Sequence, residues 1–342
     1  MNSRFEPPRC PNQGCKKHRD PTKEFYAKQG YYHPLCRPHP VPRFRCKTCR
    51  TGFSRQTFRA DFKDHRPDLN PKVFELLASG LGLRQTARIL KISRRCLELK
   101  ARKIGWHLRW LSRTVSGSIE GHAIFVFDEM ETFEQCRRTK PLTLPVLVEH
   151  ESMFIVGASS APKRAGGSMP MRRKKLIARR EAMEGPRRNG GPWCIRKVLR
   201  AGKNLLQPDT SVELVSDKKS NYKKIARAVF AGHELKVRQY SSKQARNVRN
   251  PLFRINLTNA MARDLNGRLR RRSWLASKRR WFLDLQLEFF MAWRNFHRPR
   301  FNRDAQTPAQ IIGFTKAQLT PRDMLSWRQD WGELSCPVRG VG

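Results

Sequence analysis

Acids are scarce for the charge this 342-residue chain carries: 28 Asp and Glu stand against 71 Lys and Arg, a formal net charge of +43. Self-repulsion on that scale destabilises a compact chain unless an anionic partner offsets it. An enzyme of acidic metabolites and a structural protein with a neutral surface both fit poorly. Nucleic acid fits, because its phosphates supply a salt-dependent affinity. A ribosomal-type protein or a binder of anionic membranes also fits on charge alone. Long apolar runs are missing too: no stretch approaches the ~18 residues of a membrane span. The opening MNSRFEPPRC has no apolar segment, so no secretory signal is expected. Hydrophobic residues are 38% of the chain. That is enough for real cores, and the length suggests about two or three domains.

An even, spread-out cysteine framework is also lacking. There are nine cysteines, five of them within the first 49 residues. Cys10 and Cys15 form one close pair and Cys46 and Cys49 another. Two such pairs separated by about 30 residues predict a tetrahedral zinc site, a zinc ribbon over 1–57. Each pair would sit in a tight turn, and the surrounding Arg and Lys favour thiolates. So short a segment has little core, and the ion would supply much of its folding energy. His18, His33, Cys36 and His39 are possible substitutes for one ligand. Phe44 and Phe53 are expected to cover the site as ordinary packing.

Residues 68–113 carry three helical phases. Asn70 is placed to cap the first with Pro71 at its first position, and Val73, Leu76 and Leu77 share a face. Gly80 and Gly82 end it. Leu83, Ala87, Ile89 and Leu90 pack a second helix. Ser93 caps a third, with Leu97, Leu99 and Ile104 facing inward and Arg94, Arg95, Lys100 and Arg102 outward. A tight turn before a basic third helix predicts a helix-turn-helix that lies in a major groove.

From residue 119 the pattern changes to strands. Ile124 to Phe127 is a near-continuous apolar run, read as a buried strand that ends in Asp128. PLTLPVLVEH and MFIVGASSAP follow, which predicts a three-stranded meander. An Arg-, Lys-, Gly- and Pro-rich stretch at about 160–200 reads as an insertion, helical near Arg172–Met183 and otherwise mobile. It presents Arg172, Arg173, Lys174 and Lys175 to DNA phosphates or to a second copy. Val212 to Val215 is a further buried strand ending in Asp217, followed by a helix and another strand. An acid at the end of a buried strand is costly unless a metal or hydrogen bonds compensate it. Two of them in so basic a chain predict a two-metal nuclease-type site on Asp128 and Asp217. Alternation along the strand turns Glu129 away, and Glu129 and Glu131 are read as bystanders. Thr258 or Asn259 is placed to cap a late, very basic helix in which Arg268 and Arg271 are DNA contacts. Asp264 is the acid within it, the candidate third carboxylate. Asp284 and Glu288, in a mostly apolar helix, are read as structural. Residues 299–342 read as a wrap-around tail.

CPNQGC…CKTCRTGFS, the helix-turn-helix, FVFDEMETF, LVSDKKSNY, INLTNAMARDLNGRLRRRSW and the ending RNFHRPRFNRDAQTPAQIIGF together resemble a bacterial insertion-sequence transposase over most of the chain. The resemblance implies a multidomain protein with α+β and α/β parts: zinc ribbon, helix-turn-helix and an RNase H-like mixed-sheet core over 119–298. It implies a D-D-E or D-D-D triad with Mg²⁺ or Mn²⁺, acting on double-stranded DNA at element ends and target. A homo-oligomer in the bacterial cytoplasm, on the nucleoid and off the membrane, is expected. Asp128 matches the first acid and Asp217 the second. Phe253 or Arg263 stands where related families have glutamate, which leaves Asp264 as the nearest acid. The alternative is a non-enzymatic zinc-ribbon and helix-turn-helix regulator with a degenerate core. A basic RNA- or ribosome-associated protein is a third class.

Overall fold

A computed structural model describes residues 5–33, 39–241, 243–245, 247–270 and 275–328. The first segment is small and mostly antiparallel. A single helical turn, α1 (Lys16–Arg19), precedes β1 (Tyr26–Tyr32), β2 (Val41–Cys46) and β3 (Gly52–Ser54), which pair in that order. Its apolar core is Phe25, Phe44, Phe53 and Phe58, packed with Cys10, Cys15 and Cys46. Phe44 and Phe53 lie 5.8 Å apart, stacked against the cysteines as expected.

Three helices follow: α2 (Asn70–Ala78), α3 (Leu83–Ile89) and α4 (Arg94–Val115). Gly80 leaves α2 at φ +86°, a backbone turn that favours glycine. Ser93 caps α4, its side chain accepting from the Cys96 amide at 3.1 Å. Asn70 does not cap α2. It lies inside the helix, buried, and its Oδ1 accepts from Lys100 Nζ at 3.0 Å. Leu97, Ile104, Leu108, Leu111 and Val115 form the buried stripe of α4, while Leu99 is 49% exposed rather than inward. Leu99 is two residues, about 200° round the helix, from Leu97, so it points away from the stripe. The stripe runs past the expected end at 113 because it packs on α9 (Arg280–Ala292) and on the late helices α10 (Pro308–Ile311) and α11 (Pro321–Ser326). The α2–α4 segment therefore shares one core with the C-terminal segment, which binds it by apolar burial as well as wrapping it.

The larger sheet contains β4 (His122–Phe133), β5 (Pro141–Glu149), β6 (Ile155–Ala158), the short β7 (Ala161–Pro162), β8 (Ser211–Asp217) and β9 (Leu235–Tyr240). Its order is β6-β5-β4-β8-β9, with β7 paired to β5. β4, β5 and β6 form the expected antiparallel meander, and β8 and β9 run parallel to β4. Alternation sorts the side chains. Phe125, Phe127, Val212 and Leu214 face α6 (Gly191–Lys203) and α7 (Ser220–Val229). Val126, Met130 and Val215 face α8 (Phe253–Leu265) and α9. β4 does not stop at Asp128 but continues to Phe133, because β5 still pairs with it there. The basic insertion is shorter than expected. Its helix α5 (Met171–Glu184) buries no residue, but α6, read as part of the insertion, is a core helix with Cys194, Ile195, Val198 and Leu199 against the sheet. Gly202 on α6 lets it approach closely, since a Cβ there would meet Leu147 Cδ2 at 2.7 Å. Among the described residues, no helix is long and apolar enough to cross a membrane.

One buried group makes this packing sensitive to pH. His107 on α4 is fully buried, its Nε2 donating to the Met324 carbonyl at 2.9 Å and its Nδ1 without a partner among the described residues. Burial lowers its pKa from 6.5 to about 4. The folded-state value is the depressed one, so the stability is fully present above pH 6.5 and is lost as pH falls through about 4. Denaturant unfolding at successive pH values should show a loss of ~3 kcal/mol across that window. His107→Gln should flatten it.

Candidate active site and cysteine centre

The parallel register of β4 on β8 pairs Val126 with Val215 and Phe127 with Ser216, so the next step sets Asp128 beside Asp217. β8 ends there, while β4 continues with β5 on one side only. The open edge forms one side of a cleft of about 1020 Å³, whose acids are Asp128, Glu129, Glu131 and Asp217. Asp128 Oδ1 accepts from the Glu129 amide and Oδ2 from Asn259 Nδ2, both at 2.8 Å. Burial pushes the Asp128 carboxyl above the usual carboxylate range, and the neighbouring Asp217 charge adds to this. Burial also raises Asp217. Asp217 Oδ1 and Asn259 Oδ1 are buried and have no hydrogen-bond partner among the described residues. Two carboxylates and an amide oxygen are the hard donors that a divalent cation such as Mg²⁺ takes, and the orphaned oxygens fit that role.

Asn259 was placed by sequence as a helix cap. It instead lies within α8, whose buried residues Ile255, Thr258, Asn259 and Ala262 fall at helical spacing. That stripe is the signal that could have found it: an amide on an otherwise small, apolar face that packs on the sheet. Asp264, the expected third acid, falls off this face. It is exposed near the end of α8 and is not part of the cleft lining. Its carbonyl accepts from the Arg270 guanidinium at 2.9 Å.

Glu129 is no bystander. Its carboxylate accepts from Thr143 Oγ1 at 2.6 Å, from Tyr222 Oη at 2.5 Å and from the Lys219 ammonium. Burial works to raise its pKa, but these donors outweigh it and hold Glu129 below the usual range. Its side chain does leave the Asp128 side of the strand, and it couples β4, β5 and α7 beneath the cleft. Glu131 is exposed and pairs with Lys163. Glu288 is structural as expected, buried against Arg109 at 2.6 Å. Asp284 accepts from the amide and hydroxyl of Ser160, both at 2.7 Å.

The expected DNA contacts divide. Arg94, Arg95 and Arg102 are exposed on α4, with Arg94 paired to Glu98 at 2.9 Å. The Arg102 guanidinium stands 5.1 Å over the Trp281 ring. Lys100 is not a DNA contact. It is 3% exposed and donates to Asp64, to the Arg66 carbonyl and to Asn70. It sits on the inner side of α4, where it fastens the 59–69 connection to the helices. Arg268 is likewise drawn inward, donating to Gln286 Oε1 at 2.7 Å, and burial lowers its pKa to about 10. Arg172, Lys174 and Lys175 are exposed on α5, and Arg173 is half-buried at the cleft. Arg271 lies outside the described residues, as does Cys36.

At the other end of the chain, the sulfur atoms of Cys10, Cys15, Cys46 and Cys49 lie within 4.8 Å of one another, close enough to hold a metal ion. Burial raises the Cys10 and Cys15 thiols. The Thr51 hydroxyl, 3.2 Å from Cys49 Sγ, draws that thiol down to about 6. His18 is not a substitute ligand here, since its Nδ1 lies 2.7 Å from the Cys10 carbonyl and its ring is outside the cluster. Among the described residues this is the one group of three or more Cys, His, Asp or Glu that converges so tightly. In the cleft, the acid nearest the two aspartates among the described residues is Glu129, whose charge raises both but whose carboxylate is taken by Thr143, Lys219 and Tyr222.

Lys100→Met should cost about 3–5 kcal/mol in denaturant unfolding, because it strands the buried Asp64 carboxylate. It should leave the salt dependence of nucleic-acid binding unchanged. Treatment with a strong chelator should free the four cysteine thiols to a thiol reagent and open the first segment to protease, while the helical signal of the remainder persists. The chain matches no protein-family model and no curated protein sequence.

Proposed function

We propose that this protein is a DNA transposase of insertion-sequence type, in which an RNase H-like core cuts and rejoins phosphodiesters. The observation that carries the reading is the pair Asp128 and Asp217 on adjacent parallel strands, with Asn259 on Asp128 and two orphaned oxygens beside it. The sheet order β6-β5-β4-β8-β9, with the first three strands antiparallel and the last two parallel to the third-placed β4, is the arrangement expected of such a core. In place of a third acid we assign Asn259, which reaches the site from α8.

A divalent ion bound by these oxygens would supply the positive charge that activates water and steadies the phosphate oxygens. The chain's own residues do the rest. The Glu129 amide and Asn259 Nδ2 fix the Asp128 carboxylate, and the Glu129 network holds β4 against α7. Arg137, Arg138 and Arg173 on one wall and Arg263 and Arg270 on the other line the cleft and attract a phosphate backbone to an acidic floor. Water would attack the phosphodiester to release a 3′ hydroxyl. That hydroxyl would attack a target phosphodiester and expel the target's own 3′ oxygen. The cysteine centre would hold zinc and the α2–α4 helices would bind the element ends.

A second reading is a DNA-binding protein whose core no longer cuts. It is favoured by the missing third acid. Strand nicking and joining on end-bearing DNA with Mg²⁺ separates the two. Asp128→Asn and Asp217→Asn should each lower activity about 100-fold or more, and Asn259→Ala about 10–100-fold. DNA binding should persist in all three. Full activity in Asp217→Asn sinks the assignment, and inactive wild-type protein that still binds DNA supports the second reading.

A further inference from the structure

A second hollow, of about 800 Å³, runs along α5. Its charged lining is Arg138, Arg172, Arg173, Lys175 and Arg179, with no acid. Arg138 and Arg173 also line the acidic cleft, so the two hollows adjoin across these side chains. The acids of α5 are used elsewhere: Glu184 pairs with Lys140 at 2.7 Å and Glu181 accepts from the Arg187 amide. α5 buries no residue and is held to the β4–β5 connection by polar contacts. Arg173 Nε donates to the Arg138 carbonyl at 3.1 Å, and Arg180 donates to Thr139 Oγ1 at 2.6 Å.

Such a helix is a poor contributor to the core and a strong attractor of a polyanion. Arg172, Lys175 and Arg179 repeat at i, i+3 and i+7 and so share one face. They span about 10 Å of helix, the reach of about three phosphates at ~3.4 Å per nucleotide of one strand. Leu176 and Pro170 are the apolar residues lining the hollow, too little for a membrane surface to gain from.

We propose that this hollow seats the phosphodiester backbone of the nucleic-acid strand that flanks the bond held over Asp128 and Asp217, gripped by Arg172, Lys175 and Arg179. The inference rests on the reading of the cleft as a strand-cleaving site, but its test measures binding and not cleavage. The full chain is titrated against a fluorescent DNA duplex without divalent ions across a range of KCl concentrations. The triple variant R172A/K175A/R179A keeps helix-forming residues and opens no cavity, and circular dichroism checks its fold. The slope of log K against log salt should become shallower by about 2 to 3. An equal charge change on the outer face of α7, K223A/K224A/R227A, should leave the slope unchanged. If the α5 triple keeps the wild-type slope while wild type binds and cuts DNA, this inference falls and the strand-cleaving reading stands. Equal loss of slope in both triples marks a general charge effect and also overturns it. Wild-type protein that binds no nucleic acid removes both.

Discussion

Asp128 and Asp217 are brought together by backbone pairing, before any property of their side chains enters. Once β8 runs parallel to β4 with Phe127 opposite Ser216, the two carboxylates have to meet. The meeting is unfavourable by itself: burial raises both carboxyls, and the Asp217 charge adds to the cost of Asp128. Everything nearby reads as compensation. Asp128 receives an amide from its own strand and another from α8, and Glu129, one residue on, is neutralised by Lys219 on the opposite side. Among the described residues, Asp217 Oδ1 and Asn259 Oδ1 stay buried here without a hydrogen-bond partner.

The same logic explains why the helical segment and the tail cannot be treated as separate pieces. α4 is amphipathic, but its apolar stripe is longer than α2 and α3 can cover. The remainder is buried by α9, Phe314, Leu319, Met324 and Trp327, which arrive from more than 150 residues later in sequence. Arg109 to Glu288 and His107 to Met324 are polar ties across that junction. On the sheet side, Asn295 closes the edge of β6 by giving and accepting hydrogen bonds with Ile155. The helices that would hold DNA ends are thus built on the same late segment that backs the sheet. Movement of one would be felt by the other through packed side chains.

Much of this was legible in sequence where the signal was local. Paired cysteines, apolar runs, the Ser93 cap and the glycine at the end of α2 each depend on a few neighbouring residues, and each is found where expected. Asp128 and Asp217 were legible because an acid closing an apolar run is rare. The failures share one cause: the role of a long polar side chain depends on what a distant segment places beside it. Lys100 and Arg268 look the same in sequence as Arg95 and Arg102, yet Asp64 and Gln286 draw them inward. Asp264 and Asn259 differ by five positions on one helix, enough to put one in solvent and the other on Asp128. The end of the insertion was misplaced for a related reason, since the basic residues of α6 hide an apolar face that only the sheet reveals.

These inward cations change what the net charge of +43 means. Lys100 and Arg294 are fully inside, and Arg109, Arg187 and Arg268 are mostly so, each donating to at least one carbonyl, carboxylate or amide oxygen. Such groups contribute to the long-range field but cannot touch a phosphate. The cations that can are concentrated on the outer face of α4, along α5 and on the two walls of the cleft. Between those walls, among the described residues, the opposing charges are those of the acidic floor, Asp128, Glu129, Glu131 and Asp217. A polyanion drawn in by the walls would be repelled at the floor unless a cation lay between.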